Sequence, residues 1–181
     1  MASLSGTSVG FLGLGDVGRP VLRRLKARGA TVHATSRSPA LRYKMARDAV
    51  NLYKTPAEVN NEIQNGIIFL MLSKQSLIDA FLTGEDGLLS NIATGALVVD
   101  LGQTSIDATR KYAEMVEAKG AHWMDAPALG SEQDAMEGRL TIRAGGRKED
   151  FDRARPLLDE IARDIKYMGE IGAGQSAVPT L

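Results

Sequence analysis

Three glycines at one spacing carry the first chemical signal in the chain: Gly13, Gly15 and Gly18, in the run Gly13-Leu14-Gly15-Asp16-Val17-Gly18. A Gly-x-Gly-x-x-Gly match has physical meaning only between a strand and a helix. Val9-Gly10-Phe11-Leu12 precedes it as a short apolar strand, and Arg19-Pro20-Val21-Leu22-Arg23-Arg24-Leu25 follows as an amphipathic helix. In that setting Gly13 makes the tight turn, Gly15 lets a pyrophosphate approach the backbone, and Gly18 lets the helix pack close on the strand. The unpaired amides at the helix start face an anion. The chemistry implied is dinucleotide binding, with Leu14, Asp16 and Val17 completing the turn beside the ligand. Glycine supplies 19 of the 181 residues, so the flanking strand and helix give the match its weight.

The end of the next strand bears on which dinucleotide is bound. Ala30-Thr31-Val32-His33-Ala34-Thr35 predicts a second buried strand and completes a β-α-β unit. An NAD site places Asp or Glu at the end of that strand, to accept hydrogen bonds from the ribose 2′-hydroxyl. This chain has Thr35-Ser36-Arg37-Ser38 instead. No carboxylate there repels a 2′-phosphate, while Arg37 offers a charged fork and Ser36 and Ser38 offer hydroxyl donors. The expectation is NADP(H) in preference to NAD(H). Farther on, Ile67-Ile68-Phe69-Leu70-Met71-Leu72 is apolar throughout, as suits a strand buried on both faces of a parallel sheet. Leu72 and Ser73 then stand at the carboxyl edge, where open α/β sheets place their ligands.

Composition excludes other chemistries. Basic and acidic residues number 22 each, which leaves no net charge to attract nucleic acid or an anionic membrane. There is no cysteine, hence no disulfide, thiolate nucleophile or cysteine metal site. His33 and His122 have no carboxylate cluster beside them in the sequence, so no metal site is expected. The start of the chain lacks a basic and apolar leader, and no apolar run approaches the length of a membrane span. A cytoplasmic protein acting on a small molecule is the expectation.

The remaining elements continue the alternation of helix and strand. Pro39 to Asp48 predicts a helix, Val50 to Tyr53 a short strand, and Thr55-Pro56-Ala57-Glu58 a helix start with Thr55 as N-cap. Ala96 to Asp100 predicts a buried strand, and Ser105 to Lys119 a helix closed by Gly120. His122 to Pro127 predicts another strand at the same edge, followed by a loop and a helical stretch to Gly138. Leu140 to Ala144 alternates like a half-exposed strand near the sheet edge, Lys148 to Arg163 predicts one last helix despite Pro156, which can kink it or mark a break, and Ile165 to Met168 a final edge strand. These describe one α/β domain of the Rossmann type over residues 1–170, a doubly wound, mostly parallel sheet with helices on both faces, and a tail over 171–181.

Taken together, these motifs resemble the NAD(P)-binding domain of the β-hydroxyacid dehydrogenases, the group of 3-hydroxyisobutyrate dehydrogenase, tartronate semialdehyde reductase and 6-phosphogluconate dehydrogenase. Gly10-Phe11-Leu12-Gly13-Leu14-Gly15-Asp16-Val17-Gly18 is similar to the opening of that family, and Ser36-Arg37-Ser38 to the Asn-Arg-Thr of its NADP-type members. Met71-Leu72-Ser73 resembles the family's Met-Leu-Pro/Ser edge, which lies along the cofactor. Asp125-Ala126-Pro127-Ala128-Leu129-Gly130-Ser131 resembles the substrate segment, and Gly172-Ala173-Gly174-Gln175 the turn into the catalytic helix. The resemblance spans residues 8 to 177 and places Gln103 near the nicotinamide and Leu129, Gly130 and Ser131 at the substrate.

The departures fall on the chemistry. The family's general acid/base lysine, three residues beyond the Gly-Ala-Gly-Gln, corresponds to Val178; the carboxylate-binding serine corresponds to Leu129; and the Ser-Thr pair after the central strand is Gly102-Gln103. Residues 171–181 then stand as a stub of the interdomain helix, without the helical second domain. The resemblance therefore implies an NADP(H)-dependent oxidoreductase moving hydride to or from a small carbonyl or hydroxyl, or an imine, with the proton donor unassigned. The alternative is an NADP(H)-binding scaffold or sensor without catalysis. A chain that is a fragment of a longer enzyme would leave an apolar tail surface exposed, from which a homodimer is expected.

Overall fold

The computed structural model describes residues 3–36 and 38–179. Strand β1 (Ser8–Leu12) is followed by α1 (Gly18–Ala27), β2 (Thr31–Thr35), α2 (Pro39–Ala46), β3 (Asn51–Tyr53) and α3 (Pro56–Ile63). Next come β4 (Ile67–Leu70), α4 (Gln75–Thr83), a 3-10 turn (Leu88–Ser90), β5 (Leu97–Asp100), α5 (Ile106–Glu117) and β6 (His122–Asp125). The chain continues through β7 (Ala128–Leu129), α6 (Glu132–Glu137), β8 (Leu140–Gly145), α7 (Lys148–Ile161), β9 (Ala162–Gly169) and α8 (Ala173–Ser176).

The strands form one nine-stranded sheet in the order β3-β2-β1-β4-β5-β6-β8-β7, with β9 paired to β8. β1 to β6 are parallel throughout. This is the Rossmann-type order, and the reversal of direction between β1 and β4 opens a crevice at their carboxyl ends. The apolar run of β4 shows why the sheet is covered on both sides. Ile67 and Phe69 face a core shared with Val21, Leu22 and Leu25 of α1 and with Leu157 and Leu158 of α7. Ile68 and Leu70 face a second core shared with Val59, Ile78, Tyr112 and Trp123. Successive side chains of one strand thus serve opposite cores.

Local signals set several boundaries. Thr55 accepts from the Glu58 amide while the Glu58 carboxylate accepts from the Thr55 amide, a reciprocal cap that starts α3. Ser105 caps α5 by accepting from the Ala108 amide at 3.2 Å. His33, in mid-strand, is buried and stacked on Tyr53, with its Nδ1 3.0 Å from the Tyr53 hydroxyl, so it is a packing residue.

Two expectations near the end of the chain are made specific. β8 alternates in burial and lies next to the edge: β9 pairs along its length and takes the outer position, with Tyr167 and Met168 exposed. A burial alternation reports one covered face and says nothing of neighbours within the sheet. α7, in turn, runs unbroken through Pro156. Pro156 and Asp152, four residues before it, both lie on the exposed side, so the carbonyl that loses its helical donor can be hydrated.

A cleft at the carboxyl edge of the sheet

The carboxyl ends of the central strands are level. Leu12 pairs with Leu70, Leu70 with Asp100, and Asp100 with Asp125. The ladder then runs one residue farther, Met71 N donating to Leu12 O at 2.8 Å and Leu101 N to Leu70 O at 2.8 Å. Beyond that line lies a cleft of about 700 Å³. Its floor is the glycine turn, Gly13 to Gly18; one wall is Met71, Leu72, Ser73 and Leu77; the other is Leu101, Gly102, Gln103 and Ala128.

The three glycines have different physical reasons. Gly13 has φ +117°, and a Cβ there would stand 2.1 Å from the Met71 carbonyl oxygen. A Cβ at Gly18 would stand 2.1 Å from the Gly13 carbonyl oxygen. Both are glycine because the protein fills the space. At Gly15 nothing lies within 4 Å of a Cβ, and its φ is outside the left-handed region. The fold has room for a side chain at Gly15, so a glycine there leaves space free for something else.

That space faces the start of α1. Its N-cap is Val17, which provides no side-chain cap, and its first turn holds no acidic residue. Among the described residues, the amides of Gly15, Asp16 and Val17 make no hydrogen bond. Unpaired amides at a helix start, with the positive end of the helix dipole behind them, form an anion site. The Asp16 carboxylate, 83% exposed, pairs with Arg19 at 3.0 Å.

The far wall is built on buried acids. Asp100 and Asp125 are fully buried. The Asp100 carboxylate accepts from the Gly102 amide at 2.9 Å and from the Thr104 hydroxyl at 2.7 Å. Burial pushes the Asp100 carboxyl up to about 7 against those two bonds, and the nearby Asp125 adds to the rise. Asp125 accepts from the amides of Gly172, at 2.7 Å, and Gln175, at 2.9 Å. Burial raises it too, opposed by these backbone donors. Close approach is needed here as well: a Cβ at Gly174 would stand 2.4 Å from the Arg143 carbonyl oxygen and 2.8 Å from that of Asp125.

The cleft brings together Gly13, Leu14, Gly15, Asp16, Val17, Met71, Leu72, Ser73 and Gln103. Other expected residues stand apart from its lining. Ser36 and Ser38 sit just past β2, where the Ser36 hydroxyl accepts from the Ser38 amide at 3.1 Å and Ser38 caps α2. Arg37 lies outside the described residues. Leu129 and Gly130 are next to the cleft-lining Ala128, and Ser131 is the N-cap of α6, engaged with Asp134. Val178 is half-buried, its amide donating to the Gln175 carbonyl at 3.2 Å. Leu77 and Leu101, which have no site role from sequence, line the cleft beside Gly102 and Ala128, which the resemblance had placed only within motifs, and Asp100, Thr104 and Gln175 hold its wall. A carboxylate ending a buried strand with a glycine two residues on, Asp100-Leu101-Gly102, was the legible sign of that wall.

Comparison with known proteins places this geometry. The family model described as the NAD binding domain of 6-phosphogluconate dehydrogenase matches residues 8–169. The chain belongs to this family. The 3-hydroxyisobutyrate dehydrogenase of Pseudomonas aeruginosa is 33% identical over 173 residues, covering 94% of this chain and 57% of its own length. Among solved structures, the Mycobacterium tuberculosis 3-hydroxyisobutyrate dehydrogenase with L-serine superposes with a TM-score of 0.85 at 27% identity, over 94% of this chain and 57% of that one. A protein called Psf3, in complex with NADP+ and 2-OPP, superposes with a TM-score of 0.87 at 26% identity, over 93% of this chain and 59% of that one. The chain spans between half and three fifths of the length of the curated relatives it matches. The open Gly15 and the unpaired amides lie in the glycine turn of this NAD-binding domain.

Asp100 gives this domain a pH signature. Its folded carboxyl titrates near 7 against 3.8 for the free group, so the folded state holds the proton more tightly. Its contribution to stability is therefore greatest below about pH 4, declines as pH rises to about 7, and is level above that. Asp100→Asn keeps an acceptor for the Gly102 amide and removes the titration. Urea unfolding at pH 5 and pH 8 should show the loss of stability towards pH 8 shrinking in the variant; an unchanged loss would place its origin elsewhere.

Proposed function

We propose that this domain is the cofactor half of an NADP(H)-dependent oxidoreductase that moves hydride to or from a small carbonyl or hydroxyl compound, or an imine. The observation that carries the reading is Gly15. It is the one glycine of the turn whose missing side chain leaves open space, and that space lies against unpaired helix-start amides. The preference for the 2′-phosphate rests on the residues after β2, where Thr35, Ser36 and Ser38 supply no carboxylate and the sequence supplies Arg37. A related fold with NADP+ bound, at 26% identity, supports the same preference.

The bound nicotinamide would supply the hydride, and the chain's own residues bind and orient. The amides of Gly15 to Val17 would hold the pyrophosphate. Leu72 and Leu101, both buried, flank the crevice with apolar surface and exclude water from it. Gln103 is exposed at the end where the family resemblance puts the nicotinamide and offers an amide in place of hydroxyls. With Gln103 there and Leu129 at the position of a carboxylate-binding serine, a neutral or imine-like substrate fits better than a small hydroxyacid. Val178 has no proton to give, so the proton would come from water, from a second subunit or from residues beyond this chain. Pairing of two copies in the cytoplasm completes the reading, the covered surface being the hollow where Met168, Ile171 and Ala177 stand beside the polar Arg110, Glu170 and Ser176.

Fluorescence titration tests the cofactor assignment. NADPH should bind at least about tenfold tighter than NADH, of the order of one charge-assisted contact, and Arg37→Ala should remove most of that difference. Equal affinities in the unaltered protein would refute the role of Arg37. Gly15→Ala should leave the unfolding midpoint within about 0.5 kcal/mol of the parent, as for a surface change, while weakening NADPH markedly. Gly13→Ala, which drives a Cβ onto the Met71 carbonyl, should destabilise the fold itself. NADPH consumption against semialdehydes, 2-keto acids and cyclic imines, with sedimentation alongside, tests the activity. Turnover with a cyclic imine and a dimer are expected, whereas binding without turnover on any compound would leave a binding module.

A further inference from the structure

We propose that Gln175 is a positioning residue that couples the cofactor cleft to the Gly172–Ala177 turn, so that filling the cleft stiffens the turn. The proposal rests on the reading of the cleft as an NADP(H) site. Gln175 is buried, and each of its polar groups, backbone and side chain, has a partner. Its backbone amide donates to Asp125 at 2.9 Å, which docks the turn on the end of β6. Its side chain reaches the opposite way, Oε1 accepting from the Thr104 amide at 3.1 Å and Nε2 donating to the Gly102 carbonyl at 2.8 Å.

Those two bonds bracket Gln103. Gly102 and Gln103 line the cleft, and the segment that carries them is held from below by Asp100 and from the side by Gln175. The segment has little freedom to move alone, because a Cβ at Gly102 would already stand 2.8 Å from the carbonyl oxygen of Leu72, on the facing wall. The orientation of the Gln175 amide is fixed by its partners: reversing it would set donor against donor and acceptor against acceptor. A glutamine is therefore matched to this place, and glutamate is not.

The turn hangs from the same residue. The Val178 amide donates to the Gln175 carbonyl at 3.2 Å, and Gly172, which begins the turn, donates to the other Asp125 oxygen at 2.7 Å. Val178 occupies the position at which the family resemblance places the proton-transfer residue. Gln175 thus sets the spacing between the wall that faces the nicotinamide and the backbone from which a proton donor, or the segment carrying one, would be presented. By linkage, whatever orders one side of this amide orders the other.

Amide hydrogen exchange on the 181-residue chain, followed by NMR with and without saturating NADPH, tests the coupling. The amides of Gly172 and Gln175 point into Asp125, away from the cleft. NADPH should slow their exchange by about fivefold or more, the low end of ordinary coupling between sites. Gln175→Ala should bind NADPH roughly tenfold more weakly, for the loss of two hydrogen bonds, and at saturation should no longer slow the Gly172 amide. Gln175→Glu, which keeps the acceptor for Thr104 but sets a buried carboxylate oxygen against the Gly102 carbonyl, should bind NADPH no more tightly than Gln175→Ala. Unaltered protein that binds NADPH while Gly172 and Gln175 exchange as before overturns the coupling and spares the cofactor reading. Absence of NADPH binding to the unaltered protein overturns both. Because the unaltered protein alone gives the first of these readouts, misfolding of a variant does not leave the question open.

Discussion

Two carboxylates taken out of water side by side govern the far half of this domain. Asp100 and Asp125 occupy paired register positions at the ends of β5 and β6, and both are fully buried. A buried carboxylate costs several kcal/mol unless its oxygens are satisfied, and a second one beside it makes ionisation harder for each. The chain answers with amides and a hydroxyl, and the groups bonded to the two acids include no cation. Those donors come from the segments that follow β5 and β9, three from loop residues and the fourth, the Gln175 amide, from the short helix α8. Satisfying the acids therefore dictates the path of Gly102 to Thr104 and of Gly172 to Gln175, and the glycines of those loops provide the clearance. The strand ends and the loops that shape the cleft are in this sense one object.

The near half obeys a different constraint, that of close backbone approach. Gly13 lies against Met71, and Gly18 against Gly13, so the strand, the turn and the helix start are locked by contacts a single methyl would break. The result is a rigid rim with amides pointing outward. Rigidity matters here because an anion site made of backbone dipoles gains its strength from not having to reorganise when the ligand arrives. Gly15 alone is free of this packing. The turn thus divides its glycines between fold and ligand, although the sequence writes all three with the same letter.

Much of this was legible before any coordinates, and what was not has definite causes. The order of strand and helix, the capped start of α3 at Thr55 and the doubly covered β4 all follow from local pattern, because period, cap chemistry and apolar continuity are written in neighbouring residues. The near half of the cleft was legible for the same reason: Gly13 to Val17 and Met71 to Ser73 lie in two short runs. Gly102 and Ala128 carry no side-chain signal, since a backbone can line a cleft with any small residue. Gln175 stands in the sequence as the end of a Gly-Ala-Gly-Gln turn, and its side-chain partners Gly102 and Thr104 are distant in sequence, a pairing only the folded chain reveals. Ser131 shows the converse. A serine at a promising position is held by its helix, engaged with Asp134, and the pattern Ser131-Glu132-Gln133-Asp134 was already a capping signal.

The separation of the two halves also orders their importance for a hydride-transfer site. Holding reactants in a productive geometry can take about 7–11 kcal/mol off a barrier, whereas a placed general acid supplies about 10²–10⁴-fold, or about 3–5 kcal/mol. In the proposed oxidoreductase, a domain with this rim, these buried acids and the Gln175 clamp would keep the larger share. A valine at position 178 would forgo the smaller one, and a proton could come from water or from another chain without redesigning the cleft. The geometry of the wall has no such substitute, because it is set by two buried carboxylates whose donors come from both ends of the site. In the proposed reading, change at position 178 leaves the shape of the cleft intact, whereas change at Asp100, Asp125 or Gln175 alters the wall itself.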